Sequence, residues 1–159
     1  MTTLRPGAAS VPIPNGLWVT GGYDGDKRLN STEFVYFNGT SSTGPPLPEP
    51  RYGHCLLQHK KTLLLIGGWN ENGDETSTVW IFRDGKSIEY IGNGPKMNFV
   101  RAYFSCGIFQ SSAHNGHPIL VVAGGSRLES GSKTSEYWDF TVPGSQWKQT
   151  SKSKYTENI

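Results

Sequence analysis

A pair of glycines follows a short apolar run three times in this chain of 159 residues. The pairs are Gly21-Gly22, Gly67-Gly68 and Gly124-Gly125, and each precedes a polar loop and then a segment rich in aromatic residues. The pairs recur at intervals of about 50 residues, a period typical of the blades of a β-propeller. The recurrence therefore predicts a repeat architecture built from strands.

The middle repeat shows the predicted strand order most clearly. A short strand at 55–57 and a polar turn lead into the apolar run 62–66, which has the pattern of a strand buried on both faces. After the glycine pair and its loop come an aromatic strand at 78–82 and a weaker strand at 87–91. The third repeat has the same order, with a longer turn between its first two strands. We therefore expect four-stranded antiparallel units.

The first repeat lacks a convincing initial strand, because Arg5 to Pro14 is rich in Gly, Ala and Pro. The fold predicted is all-β: a propeller fragment of about three four-stranded antiparallel blades, with the first blade incomplete. The expected organisation is a tail or remnant strand at 1–15, repeats over 16–149 with blades at 16–50, 51–100 and 101–149, and a disordered tail at 150–159.

The repeats resemble the kelch family, whose units begin with an arginine and often a histidine, continue with an apolar strand ending in Gly-Gly, and close near a tryptophan. The stretch from Gly21 to Glu33 is similar to kelch blades of ubiquitin-ligase adaptors. Phe104 and Val79 depart from the pattern, at a histidine and an acidic position. The resemblance implies a kelch-type propeller in which arginine, tyrosine and tryptophan positions bridge blades. The residues given structural roles are Gly21, Gly22, Arg51, His54, Gly67, Gly68, Arg101, Gly124, Gly125 and Trp147.

Charge and hydropathy exclude several classes of partner. The chain has 15 basic and 13 acidic residues, and this balance argues against nucleic acid or an anionic membrane as a partner. No segment approaches the roughly 20 apolar residues that span a bilayer. The first 14 residues do not form a signal peptide, so the sequence as written indicates the cytoplasm, with secretion as the alternative if the N-terminus is incomplete. The compartment therefore stays open.

No motif in the chain indicates catalysis, a cofactor or a metal. His114 and His117 are expected at a solvated hairpin tip, because no further ligands are fixed near them in sequence. Cys55 and Cys106 are expected to be two small buried strand residues without a bridge. Asn30 and Asn38 fit the acceptor pattern for N-glycosylation.

The loops after the glycine pairs are the candidate binding surface, because rigid strands that hold variable loops usually carry recognition there. These loops mix aromatic and charged residues of the kinds enriched at interfaces. The candidate binding residues are Tyr23, Asp24, Lys27, Arg28, Trp69, Asn70, Glu71, Asp74, Arg127 and Glu129. We expect a non-catalytic module that binds a protein partner of unknown identity. The alternatives are a kelch-like enzyme of the copper oxidase or sugar isomerase type, and an extracellular adhesion module.

Fewer than three complete blades cannot close a ring, and an open edge exposes an apolar face. Three explanations stay open at this point. The chain is part of a longer protein with further repeats, it pairs with a second copy, or its tails cover the open ends.

Overall fold

A computed structural model describes residues 3–110, 112–114, 116–126 and 134–150 of the chain. Over these residues the fold is all-β, as expected: twelve strands form three four-stranded antiparallel sheets, each built from four consecutive strands. The remaining regular element is a 3₁₀ turn at Ser112–His114. Within the described part of the chain, no helix has the length and apolar character needed to cross a membrane.

Each sheet follows the simple order in which neighbours in sequence are neighbours in space. Sheet I consists of β1 (Ala9–Ile13), β2 (Gly16–Thr20), β3 (Thr32–Tyr36) and β4 (Ser41–Thr43). Sheet II consists of β5 (Cys55–His59), β6 (Thr62–Ile66), β7 (Val79–Asp84) and β8 (Ile88–Asn93). Sheet III consists of β9 (Ser105–Gln110), β10 (Pro118–Ala123), β11 (Ser135–Trp138) and β12 (Lys148–Gln149).

The prediction of an incomplete first unit is wrong. Strand β1 lies inside the range 1–15 that was expected to be a tail or remnant, and it pairs with β2 along its whole length, from Ala9 opposite Thr20 to Ile13 opposite Gly16. Pro12 is tolerated because β1 is the edge strand of its sheet, where a missing N–H costs no ladder hydrogen bond. Val11 from the same strand is buried in the core.

Sheet II is covered on both faces, as the apolar pattern of β6 predicts. Leu63 and Leu65 pack with Trp18 of sheet I in one core cluster. Leu64 and Ile66 point the other way and pack in a second cluster whose sheet III members are Leu120, Val122, Trp138 and Trp147. Because side chains alternate along a strand, one continuous apolar run fills both cores.

The glycine pairs lie where neighbouring sheets meet. All six glycines have positive φ, between +58° and +112°, a region that favours glycine. The second glycine of a pair donates its backbone N–H to an arginine carbonyl of the next sheet: Gly22 to Arg51 at 2.8 Å and Gly68 to Arg101 at 2.7 Å. A Cβ on Gly21 would lie 2.1 Å from the Arg51 carbonyl oxygen. The pairs therefore permit close backbone contact between sheets.

A buried arginine ties each sheet together near its glycine pair. Arg51 and Arg101 donate to the carbonyls of Gly67 and Gly124, at 2.9 and 2.6 Å. Arg5 does the same for Gly21 at 3.0 Å, although the sequence pattern did not single it out. The three arginines thus occupy equivalent positions, and the first sheet has its arginine as well as its first strand.

A disulfide joins Cys55 on β5 to Cys106 on β9, so the expectation of two unbridged cysteines is wrong. The first strands of sheets II and III contact each other, and this places the two Cα atoms 6.5 Å apart, within the range that a disulfide spans. The covalent link therefore connects two neighbouring sheets.

The described residues of sheet III extend to Thr150, which begins the range predicted as a disordered tail. Its backbone N–H donates to the Ser135 carbonyl at 3.0 Å, so this residue continues the pairing of β12 with β11. The rest of the predicted tail, 151–159, lies outside the described residues.

Candidate functional site: the loop face

One end of the sheets carries both the loops that follow the glycine pairs and the segments that precede the first strands; we call this end the loop face. Short antiparallel bridges join the two kinds of segment, between Tyr52 and Trp69 and between Ala102 and Ser126. Backbone hydrogen bonds then link one sheet to the next: Gly53 N–H donates to Gly7 O at 2.7 Å, and Tyr103 N–H donates to Gly53 O at 2.8 Å. The loop face is therefore held by backbone contacts that cross all three sheets.

Four aromatic rings from all three sheets meet on the loop face. We call this set, Tyr23, Tyr52, Trp69 and Tyr103, the aromatic cluster. The Tyr52 ring lies at its centre, with ring centroids 6.1 Å from Tyr23, 6.2 Å from Trp69 and 6.0 Å from Tyr103. The Tyr52–Trp69 pair is stacked and the Tyr52–Tyr103 pair is edge-on, both favourable geometries for aromatic rings.

Arg28 connects the loop of sheet I to the loop of sheet II. Its guanidinium carbon lies 5.5 Å from the Tyr52 ring centroid, a cation–π distance. Its Nη1 donates to the Glu71 carbonyl at 3.0 Å. Two predicted binding residues from different repeats are thus brought together with a ring that was not predicted.

Tight turns fix the other predicted residues of these two loops. The Asp24 carboxylate accepts backbone N–H groups of Lys27 at 2.8 Å and Asp26 at 3.0 Å. These hydrogen bonds lower the pKa of Asp24, with the Lys27 backbone bond as the largest cause. In sheet II, the Asn70 side-chain oxygen accepts the Asp74 N–H at 2.9 Å. Lys27, Glu71 and Asp74 are exposed around these turns.

The loop of sheet III is described only as far as Ser126. The Ser126 hydroxyl donates to the Glu75 carboxylate at 2.9 Å, which ties this loop to that of sheet II. The predicted binding residues Arg127 and Glu129 lie outside the described residues, as does the rest of the loop to 133.

Tyr103 is the most accessible ring of the aromatic cluster. It is 58% exposed and has φ of +52°, a left-handed conformation that is uncommon for a tyrosine. Partial burial, together with nearby Tyr52, raises the pKa of its hydroxyl, so Tyr103 stays neutral at physiological pH. Strained backbone conformations of this kind are concentrated at functional sites.

His54 lies under the loop face as a buried structural residue. Its Nε2 shares a hydrogen bond of 2.8 Å with the Thr20 hydroxyl of sheet I. Burial, with a smaller contribution from the Arg51 cation, lowers the pKa of His54 to about 3. The ring is therefore neutral, and it links sheets I and II.

Trp147 contacts residues of both sheet III and the segment that follows sheet II. Its indole Nε1 donates to the Pro95 carbonyl at 2.9 Å, and its ring lies 5.8 Å from that of Trp138. Both indole rings belong to the second core cluster.

No group of three His, Cys, Asp or Glu side chains that could hold a metal occurs among the described residues. His114 lies against Tyr137, with ring centroids 5.2 Å apart, and its carbonyl accepts the His117 N–H at 2.9 Å. Both glycosylation candidates, Asn30 and Asn38, are exposed. Asn38 lies in the β3–β4 hairpin, where the Thr40 hydroxyl donates to its side-chain oxygen at 2.7 Å.

Sequence reasoning found the loops but missed two rings of the aromatic cluster. Tyr52 and Tyr103 precede the first strands of sheets II and III, whereas the candidate residues came from the loops after the glycine pairs. The sequence did contain a signal, because each tyrosine lies close after a buried arginine. Tyr52 is one residue after Arg51, and Tyr103 is two residues after Arg101.

No family model matches the chain. The chain is similar to the spermatocyte protein spe-26 of Caenorhabditis elegans, with 33% identity over 84 residues. The matched region is 52% of this chain and 14% of that protein, so the chain spans only a small part of this relative's length.

Proposed function

We propose that the chain is a non-catalytic protein-interaction module of the kelch type, and that it binds a protein partner through the loop face. The observation that carries the proposal is the aromatic cluster, in which side chains from three separate repeats converge on one surface. Tyr, Trp and Arg are the residue types most enriched at the interface positions where truncation to alanine weakens binding most. The loop face has all three types, in Tyr23, Tyr52, Trp69, Tyr103 and Arg28.

The kelch part of the proposal has its own support. The first strands of consecutive sheets contact each other, β1 with β5 and β5 with β9, as strands around a common axis do. In each sheet an equivalent arginine side chain donates to the carbonyl of the first glycine of the pair, and the same glycine-to-arginine backbone hydrogen bond joins each sheet to the next. This repetition supports an arrangement of the sheets as propeller blades.

The rigidity of the loop face favours recognition of a partner. Backbone bonds from Gly53 and Tyr103 and the turns at Asp24 and Asn70 hold the loops before any partner arrives. A preformed surface loses little conformational entropy on binding, so more of the contact energy appears as affinity.

Site-specific photo-cross-linking tests this function. A photoreactive amino acid at Tyr103 should give a discrete cross-linked species in an extract of the source tissue. The same amino acid at Phe37 is the matched control, because Phe37 is 79% exposed and lies at the β3–β4 hairpin, on the opposite end of sheet I. Trp69→Ala in the Tyr103 variant should remove the species. Equal products from both positions, or none at Tyr103, would contradict the proposal.

An extracellular adhesion module is the second candidate, and two observations favour it. The Cys55–Cys106 disulfide is typical of oxidising compartments, and Asn38 presents an exposed acceptor sequence. The mass of the protein isolated from its source distinguishes the candidates. A mass above that of the chain that falls after treatment with peptide N-glycosidase supports adhesion; an unmodified Asn38 argues against it.

A further inference from the structure

The two interfaces between sheets obey one positional rule, which can be counted back from each glycine pair. The first and third residues before the pair face the following sheet: Thr20 and Trp18 in sheet I, Ile66 and Leu64 in sheet II. The second and fourth residues face the preceding sheet, as Leu65 and Leu63 do in sheet II and Val122 and Leu120 do in sheet III. Each interface therefore joins two different faces of the same repeat.

Both kinds of face are also present on the two outer sheets, where none of the three sheets formed by the described residues covers them. On sheet III the positions that face a following sheet hold Ala123 and Val121, and Phe109 beside them is 57% exposed. On sheet I the positions that face a preceding sheet hold Val19 and Leu17, which are partly exposed. The two open faces are thus complementary halves of the interface that the chain already builds twice.

The backbone repeats the same complementarity. Gly22 and Gly68 donate to the carbonyls of Arg51 and Arg101 of the following sheet. Among the described residues, no corresponding hydrogen bond leaves Gly125, the equivalent glycine of sheet III. Arg5 is the equivalent arginine of sheet I. Its carbonyl accepts the Ala8 N–H at 3.0 Å and has a second lone pair, so it can also accept the N–H of an equivalent glycine.

We propose that the open face of sheet III binds sheet I of a second copy of this chain. This contact continues the two existing interfaces, with Val121, Ala123 and Phe109 of one copy against Leu17 and Val19 of the other. It is a head-to-tail contact, which produces a ring when its rotation closes. Two copies supply two sets of three sheets, and the total lies within the range of about four to eight that closed propellers have.

The native disulfide shows how to trap this contact. Cys55 pairs with the residue just before its glycine pair, and Cys106 pairs with the second residue before its own. The equivalent positions at the open faces are Ser105 on sheet III and Ser10 on sheet I, and both are exposed. A Ser105→Cys chain mixed with a Ser10→Cys chain should form a covalent dimer under mild oxidation, because the proposed contact brings these two positions together. The native cysteines do not compete, since they have no free thiol.

Two further variants calibrate the trap. Ala9→Cys with Leu56→Cys in one chain reproduces the disulfide positions at the interface of sheets I and II, and should bridge within the chain. Ser42→Cys is the matched control for Ser10→Cys, since Ser42 is an exposed serine on the opposite edge strand of sheet I. It should give at least tenfold less dimer with Ser105→Cys.

Sedimentation equilibrium of the unmodified chain completes the test. We expect a species of two chains that Val121→Asp converts to a single chain. The variant should still unfold cooperatively in a thermal melt, because no other sheet of the described residues packs on Val121. A single-chain species at every concentration, or failure of Ser10 and Ser105 variants to bridge while Ala9 and Leu56 variants do, would overturn the proposal. A further four-stranded unit or another protein would then be the occupant of this face.

Discussion

The interface between sheets I and II and the interface between sheets II and III have the same backbone construction and different side-chain chemistry. In both, the second glycine of a pair donates to an arginine carbonyl, at 2.8 and 2.7 Å. The first interface adds a hydrogen bond between Thr20 and His54. The second has a disulfide between its first strands and Phe104 in the place of the histidine.

The comparison teaches that glycine and arginine define how sheets pack, while the neighbouring positions vary. A positive φ and a close backbone approach leave no alternative to glycine, whereas a polar or a covalent contact serves equally beside it. The side-chain differences therefore provide separate tests of the two interfaces.

Arg101 and Arg51 differ in where their carboxylate partner lies. Arg101 pairs with fully buried Glu136 on β11, at 3.1 Å, whereas Val79 occupies that position in sheet II and Arg51 pairs with half-exposed Glu49. We expect Arg101→Met to lower the free energy of unfolding by about 3–5 kcal/mol, because it leaves the buried Glu136 carboxylate without its counter-ion.

Urea denaturation of Arg101→Met and Arg51→Met measures this difference as two free energies of unfolding. Arg51→Met should cost less than Arg101→Met, since Glu49 regains solvent after the change. The double variant Arg101→Met with Glu136→Gln should recover part of the loss. An equal cost for the two single variants would show that the burial of the carboxylate does not matter.

The disulfide distinguishes the second interface by a covalent constraint. Cys55 and Cys106 are separated by 51 residues, so reduction releases a long loop in the unfolded state. We expect reduction, or Cys106→Ser with Cys55→Ser, to lower the unfolding free energy by about 4 kcal/mol. Thermal melts with and without reductant measure the effect, and an unchanged melting temperature would contradict it.

The sequence predicted the strands well where patterns were local. The continuous apolar run of β6 and the glycine pairs indicated strand type and order, and both are confirmed. The first strand of sheet I was missed because Pro12 and the surrounding small residues resemble a loop, and only its edge position makes them acceptable. The disulfide was missed because the distance between equivalent strands of neighbouring sheets is a tertiary property.

The candidate site was predicted in part for a similar reason. The loops after the glycine pairs have an obvious composition of charged and aromatic residues. The tyrosines at 52 and 103 lie in a different segment of each repeat, and they join Trp69 only through the Tyr52–Trp69 bridge and the contacts between sheets. Local sequence does not encode that convergence.

Gly68→Val tests the shared backbone construction. Gly68 has φ of +92°, and a Cβ there would lie 2.8 Å from the Tyr52 carbonyl oxygen and from the His54 Cβ. We expect a loss of more than 2 kcal/mol, from strain and overpacking together. Gly25→Val is the matched control, because Gly25 has a similar φ of +102° with open space around it. Equal losses in chemical denaturation would mean that the close contact between sheets contributes nothing.

The pH dependence of stability tests the first interface alone. The pKa of His54 is about 3 in the folded protein, below its ordinary value of 6.5. Between these values the unfolded chain binds a proton that the folded chain does not, so stability is complete above about pH 6.5 and falls as the pH falls toward 3. The loss should reach about 2 kcal/mol at pH 5, since each pH unit in this window corresponds to about 1.4 kcal/mol.

His54→Phe isolates this contribution, because phenylalanine already occupies the equivalent place in sheet III as Phe104. The variant loses the hydrogen bond to Thr20, at a cost of about 1 kcal/mol at pH 7. It should nevertheless lose less stability than the parent chain between pH 7 and pH 5, since it has no ring to protonate on unfolding. Unfolding free energies at the two pH values decide the matter: parallel losses in parent and variant would place the acid sensitivity elsewhere than at the interface of sheets I and II.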